Sequence, residues 1–261
     1  DFRQGACTVP RSLWSVDIMP HPKLGIDWKA PYVRTSKRAL ERAKAEYSGV
    51  KLEGALEPQF LYASISGSEL LPFGFLTTMI NVLPIESAPK GYRIIERNEA
   101  AKRGFSGLAD WLKHVESAWK SKRGEKATRQ SVYQWLDYQR KLSSQTDKKK
   151  FKVLYNASGT YLVSCVVRNG PIEVNLLHGK LRIKGVIADW TTYWFETNDE
   201  DEAYYLCTCF NSPVLDEQIK PMQAKGAFGE RHIVKKPLEY PIPKFDPENK
   251  VHKELARLGK T

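Results

Sequence analysis

The chain has 261 residues, with 41 Lys+Arg against 30 Asp+Glu, a formal charge of +11 and an isoelectric point near 9.4. Its 41% hydrophobic content, including 7 Trp, 12 Tyr and 10 Phe, excludes a disordered chain and suffices for one large core or two small ones. No apolar run approaches the roughly 18–20 residues that span a bilayer, and the opening DFRQGACTVP has no signal-peptide core. A cytoplasmic protein is expected, with Cys7, Cys165, Cys207 and Cys209 as reduced thiols. Cys207 and Cys209 would point roughly 200° apart on a helix and so cannot chelate one metal together. The start at Asp1 rather than Met suggests a piece of a longer protein.

The first hundred residues read mostly as strands. ACTVPRSLWSVDI (6–18) is apolar and β-branched, with Pro10 marking an edge or a bend. SKRALERAKAEY is amphipathic through Ala39, Leu40, Ala43 and Tyr47 and reads as a short helix capped by Thr35 or Ser36. QFLYASI (59–65) is extended. GFLTTMINVLPIE (74–86) is an almost unbroken apolar run, as a buried strand requires, and GYRIIE (91–96) pairs with it across SAPKG.

The middle is helical and basic. FSGLADWLKHVESAW (105–119) puts Leu108, Trp111, Leu112, Val115 and Trp119 on one face, with Ser106 as the cap. SVYQWLDYQRKL (131–142) aligns Val132, Trp135, Leu136 and Gln139. From Lys113 to Lys152, twelve basic residues face four acids, a net +8 that is most of the chain's excess.

The last third alternates again. FKVLYN (151–156) and YLVSCVV (161–167) read as strands around a Ser-Gly turn, and KGVIADWTTYWFET (184–197) as one long aromatic strand. Thr197 or Asn198 caps a helix whose first turn, Asp199 to Glu202, complements the helix dipole. Pro213 opens a second helix, KGAFGERH is a loop, LEYPIP is extended, and NKVHKELARLG is a closing helix stopped at Gly259. The fold class expected is α+β: a β-rich portion over 1–97, a basic helical insert over 98–150 and a sheet-and-helix unit over 151–261, all compatible with one continuous domain.

Enzyme signatures are missing. There is no phosphate-binding Gly-rich loop, no His-Glu-x-x-His and no Gly-x-Ser-x-Gly elbow, and the five histidines are scattered. Asp27-Trp28-Lys29 has the tripeptide form of a metal-dependent nuclease, but it lies in a Pro-rich, turn-like stretch.

The basic stretch is the strongest functional signal, because cationic side chains gain by releasing the counterions of a polyphosphate. Its acids are too few for an ordinary solvated helical face, and aromatic and amide residues interleave with the cations. Lys120, Lys122, Arg123, Lys126 and Arg129 are candidate phosphate contacts, as is the run Lys148, Lys149, Lys150 and Lys152. Gln134, Gln139 and Arg140 have the side chains that bond base edges in a major groove. A second candidate is 225–236, where Gly226 and Gly229 free the backbone to approach a phosphate among Lys225, Arg231, Lys235 and Lys236.

The C-terminal third also carries an ordered pattern. TTYWFET is followed by DEAYYLCTCFNSPVLDEQI, GAFGERHI, Pro-Ile-Pro (241–243) and HKELARL. This resembles the target recognition domains of N6-adenine DNA methyltransferases of restriction–modification systems and, more distantly, type I specificity subunits. The resemblance is firm over 151–261 and extends to YNASGTYLVSCVV (155–167) and VPRSLWSVDI (9–18). It implies sequence-specific binding of duplex DNA, with a methyltransferase catalytic domain as partner in cis or in trans. It also implies no catalytic or cofactor residue in this segment. The Gly-containing cofactor loop and the Asn-Pro-Pro-aromatic motif are absent, Asn211-Ser212-Pro213 is not that motif, and S-adenosylmethionine would belong to the catalytic domain. Two other readings remain open: a stand-alone RNA-binding module using its aromatics for stacking, and a nuclease with an unrecognised site.

Overall fold

The computed structural model describes all residues except 177–178 and 227–228, and the backbone alone at 126, 176, 225–226 and 229–230. The fold is α+β. A six-stranded sheet has the order Val186–Ala188, Leu61–Ile65, Met79–Val82, Ser15–Met19, Tyr32–Thr35, Glu53–Ala55. All its pairings are antiparallel except that of Val186–Ala188 with Leu61–Ile65. Every residue of Leu61–Ile65 is buried, so this strand is covered on both faces. A four-stranded sheet has the order Arg3–Gln4, Thr192–Thr197, Phe151–Asn156, Ser164–Arg168.

Seven helices flank the sheets among the described residues: α1 (Lys37–Glu41), α2 (Arg97–Lys102), α3 (Ser106–Lys122), α4 (Val132–Leu136), α5 (Glu200–Phe210), α6 (Pro213–Ile219) and α7 (Lys250–Lys260). Helix α3 buries Leu108, Trp111, Leu112, Val115 and Trp119, the face its periodicity predicts, and Trp111 Nε1 donates to Leu13 O at 3.1 Å. Its cap is not Ser106. The Glu57 carboxylate, fifty residues upstream, accepts from Gly107 N (3.0 Å) and Leu108 N (2.9 Å), so a side chain from the other layer satisfies the first amides.

Several expected elements break where a local group intervenes. The 74–86 run divides into Gly74–Phe75 (which pairs back on Leu70–Leu71), Met79–Val82 and Ile85–Ala88; the second break falls at Pro84, which has no amide to continue the ladder. The last piece pairs with Gly91–Ile94 as expected. The 184–197 strand splits between the two sheets at Asp189-Trp190-Thr191, where Asp189 Oδ1 accepts from Thr191 N at 2.8 Å. The 131–142 helix ends at Leu136, and the 36–47 helix is only α1 followed by a turn at Ala45–Tyr47. Helix α5 is capped by Asp199, one residue beyond the expected position. LEYPIP begins in the turn Lys236–Glu239 rather than as a strand. Gly259 does not stop α7, which runs to Lys260. It allows a close crossing instead: a Cβ there would lie 2.5 Å from Thr208 Oγ1 and 2.9 Å from Tyr204 O of α5.

The two sheets exchange strands. Arg3–Gln4, from the first residues, edges the four-stranded sheet, and Val186–Ala188, from the last third, edges the six-stranded one. The largest core cluster accordingly runs from Ala6 to Trp194. At the seam lies Lys152, fully buried in a strand whose every residue is buried. Its ammonium bonds Val186 O (2.7 Å), Gln145 Oε1 (3.0 Å) and Glu196 Oε1 (3.2 Å). This corrects its assignment as a phosphate contact. Burial pushes its pKa below the usual lysine range, and the neighbouring Glu196 pulls it back up.

Removing one partner of such a pair strands a buried charge. Lys152→Met should lower the free energy of unfolding by about 3–5 kcal/mol in urea titrations. Adding Glu196→Leu should recover part of that loss.

Candidate nucleic-acid interface

The predicted residues fall into three groups. Lys120 and Lys122 are exposed in the last turn of α3, where the helix dipole favours cations, and Arg129 is exposed beyond it. Arg123 folds back, its Nη1 donating to Gln130 O at 3.0 Å. The side chains of Lys126 and Lys225 lie outside the described residues.

Gln134 has a structural task. Ser131 N donates to its Oε1 (2.9 Å) while Gln134 N donates to Ser131 Oγ (3.1 Å), a complete capping box for α4. Lys148, Lys149 and Lys150 are exposed, with Lys148 Nζ on Pro89 O at 3.0 Å. Arg231 is exposed and its carbonyl accepts from Gly159 N at 2.9 Å, which ties this residue to the loop after Phe151–Asn156. Lys236 is half-buried in the turn that follows.

Gln139, Arg140 and Lys235 form the third group. Gln139 and Arg140 adopt left-handed backbone angles (φ 56° and 58°), uncommon for residues with a Cβ. The Asp137 carboxylate holds that turn by accepting from Leu142 N (3.0 Å) and Ser143 N (2.8 Å). The turn carries both exposed side chains to a cleft of about 530 Å³ that Lys235 also lines, although Lys235 is almost a hundred residues away. Arg3, Lys90 and Lys141 complete its cationic wall, and Lys141 Nζ donates to Gln4 Oε1 at 2.8 Å.

Gln4 also lines a second cleft of about 420 Å³, so the two clefts are neighbours, and the pair is termed the trough. The second cleft holds Arg11, Arg38, Arg42, His232 and Trp190. Among the described residues the trough is lined by eight Lys and Arg and no carboxylate. Two of these cations are ion-paired. Arg11 Nη2 pairs with the buried Asp189 at 2.7 Å, and Arg38 pairs with Glu69. Arg42 is exposed. A concave surface with one sign of charge focuses field lines and concentrates polyanions.

Five of the cations, Arg3, Arg11, Arg38, Arg42 and Lys90, were not singled out by sequence, nor were His232 and Trp190, and Lys141 was counted in the basic stretch without being named as a contact. They come from segments with no common motif, and only tertiary structure assembles them. Arg38 and Arg42 alone offered a signal, four residues apart on a short amphipathic stretch. Asp27 sits on an exposed turn, its Oδ1 accepting from Lys29 N at 2.8 Å. Among the described residues no group of three or more His, Cys, Asp or Glu is placed to hold a metal ion. No helix among them is long and apolar enough to cross a membrane.

The fold has a counterpart. The whole chain is similar in structure to part of MmeI, a Type IIL restriction–modification enzyme solved in complex with DNA, with a TM-score of 0.53 and 12% sequence identity. The match covers 100% of this chain and 27% of that one, so the chain spans about a quarter of the length of MmeI. At that identity the likeness is one of fold. No protein-family model and no curated protein matches the sequence.

The capping box separates a structural role from a binding one. Ser131→Ala should cost about 1 kcal/mol of stability, the usual worth of an N-cap hydroxyl, read by equilibrium denaturation.

Proposed function

We propose that this chain is the duplex-DNA recognition part of a restriction–modification enzyme. In this reading it positions a target adenine for an S-adenosylmethionine-dependent N6-methyltransferase domain in the same chain or in trans. The observation that carries the reading is the pair of neighbouring clefts whose lining, among the described residues, holds eight Lys and Arg and no carboxylate. The likeness to a restriction–modification enzyme solved with DNA supports it.

Each group then has a physical task. Duplex DNA presents one phosphate charge per roughly 1.7 Å of axis, so cations spaced along a trough contact successive phosphates and release counterions. Arg3, Lys90, Lys141 and Lys235 form one such cluster, and Arg11, Arg38 and Arg42 the other. The strained turn at Gln139 and Arg140 presents an amide and a guanidinium, which read adenine and guanine edges by paired hydrogen bonds. Lys148, Lys149 and Lys150 lie outside the trough lining and act as a peripheral phosphate contact.

The cofactor belongs to the partner domain in this scheme, and the adenine-gripping Asn-Pro-Pro-aromatic motif is expected there too. Asn211, in the only stretch that approaches an Asn-Pro-Pro-aromatic sequence, spends its amide on one backbone unit. Its Oδ1 accepts from Ser164 N and its Nδ2 donates to Ser164 O, both at 2.9 Å.

Gel shifts over duplex DNA, single-stranded DNA and structured RNA at two salt concentrations test the reading. Duplex preference with a steep salt dependence is expected; indifference to duplex DNA, or preference for RNA, overturns it. Charge reversal at Lys90, Arg140 and Lys235 should weaken binding and flatten the log–log salt slope by about one for each phosphate no longer neutralised. Reversal at Lys148, Lys149 and Lys150 should weaken all sequences evenly, without changing sequence preference.

A further inference from the structure

Among the described residues, Trp190 is the one tryptophan on the exposed surface, at 45% relative exposure. Trp14, Trp111, Trp119 and Trp194 are all at 5% or below, and Trp28 and Trp135 are half-buried. Trp190 lines the second cleft of the trough with Arg11, Arg38, Arg42 and His232. An aromatic ring left in water is ordinary when its loop is loose, but this loop is locked on both sides. Trp190 O accepts from Gln4 Nε2 at 2.9 Å. Asp189, fully buried, is held by Arg11 and by Thr8 Oγ1 at 3.1 Å. Thr191 Oγ1 accepts from Gly67 N at 2.8 Å.

Two glycines from distant segments complete the lock. A Cβ at Gly5 would lie 2.3 Å from Asp189 O, and one at Gly67 would lie 2.6 Å from Thr191 O. Backbone therefore abuts backbone immediately before and immediately after Trp190. The backbone that carries the ring is thus fixed, so little backbone ordering entropy remains to be lost when something stacks on the ring.

We infer that Trp190 is a stacking platform for an unpaired nucleobase of the DNA held in the trough. The inference rests on the duplex-DNA reading above. The chemistry selects the ligand: the indole face takes any base by π-stacking, while the flanking guanidinium groups hold the phosphates on either side of the displaced nucleotide. The cleft's volume of about 420 Å³ leaves room for a base beside the ring. No carboxylate lines the cleft among the described residues, which disfavours a cationic or basic peptide ligand there.

The test uses the full chain and two duplexes of one sequence, one fully paired and one with a single bulged 2-aminopurine nucleotide. Affinity is read by anisotropy of an end label, and stacking by 2-aminopurine emission. The wild type should bind the bulged duplex about tenfold more tightly, within the range expected for one base–aromatic stack, and quench its emission. Trp190→Ala should bind both duplexes with the paired-duplex affinity and leave the emission unquenched, while Trp190→Phe keeps part of both effects. Circular dichroism melting of each variant shows that it is folded. Equal wild-type affinity for the two duplexes, or quenching that survives in Trp190→Ala, overturns the inference. Wild-type binding of the paired duplex scores the duplex reading separately. If only the bulged duplex binds, that reading fails and the platform stands; if neither binds, both fall.

Discussion

The buried ammonium of Lys152 sets the geometry on which the rest depends. A lysine with no access to water is stable only if its protons find acceptors, and its partners come from three segments: Gln145 after the helical region, Val186 at the edge of one sheet and Glu196 in the other. Gln145 carries the constraint further. Its Oε1 also accepts from Ala188 N (2.7 Å), and its Nε2 donates to Lys141 O and Ala188 O, both at 3.0 Å. One hydrogen-bonded network thus reaches from the hidden seam to the residues that border the trough: Lys141 on one side and the Asp189–Thr191 turn on the other.

The trough's charge is shaped by the carboxylates paired with its arginines. Asp189 and Glu69 offset part of the charge of Arg11 and Arg38 and also restrict them, since a carboxylate paired with a guanidinium fixes the orientation of its fork. The eight lining cations therefore mix anchored arginines with freer side chains such as Arg42 and Lys235. An anchored cation loses less rotamer freedom on meeting an anion, whereas a free one adapts to where the anion lies.

Sequence alone made the local elements legible where a single periodicity decided them. The buried face of α3, the hairpin 85–94 and the pair of strands around 157–163 all follow from residues close in the chain. What stayed hidden was long-range. Glu57 caps a helix fifty residues away, and Gly259 lets α7 approach α5 instead of ending it. The lysine run illustrates the limit well. Lys148, Lys149, Lys150 and Lys152 look alike as charges, yet the first three are exposed and the fourth is entirely buried, because the strand begins at Phe151 and is covered on both sides. The candidate surface was half-visible for the same reason. The charge excess of the middle region pointed to Arg140 and Lys141, but their neighbours in space come from residues 3, 90 and 235.

The strand exchange separates the frame from its rim. Because Arg3–Gln4 completes one sheet and Val186–Ala188 the other, the relative placement of the two sheets is written into the covalent path of the chain. The side chains at the rim, Gln139, Arg140 and Lys235, sit on turns outside both sheets. Substitutions at these rim positions therefore leave the frame that presents them in place, so the surface chemistry of the rim and the folding of the two sheets can change independently.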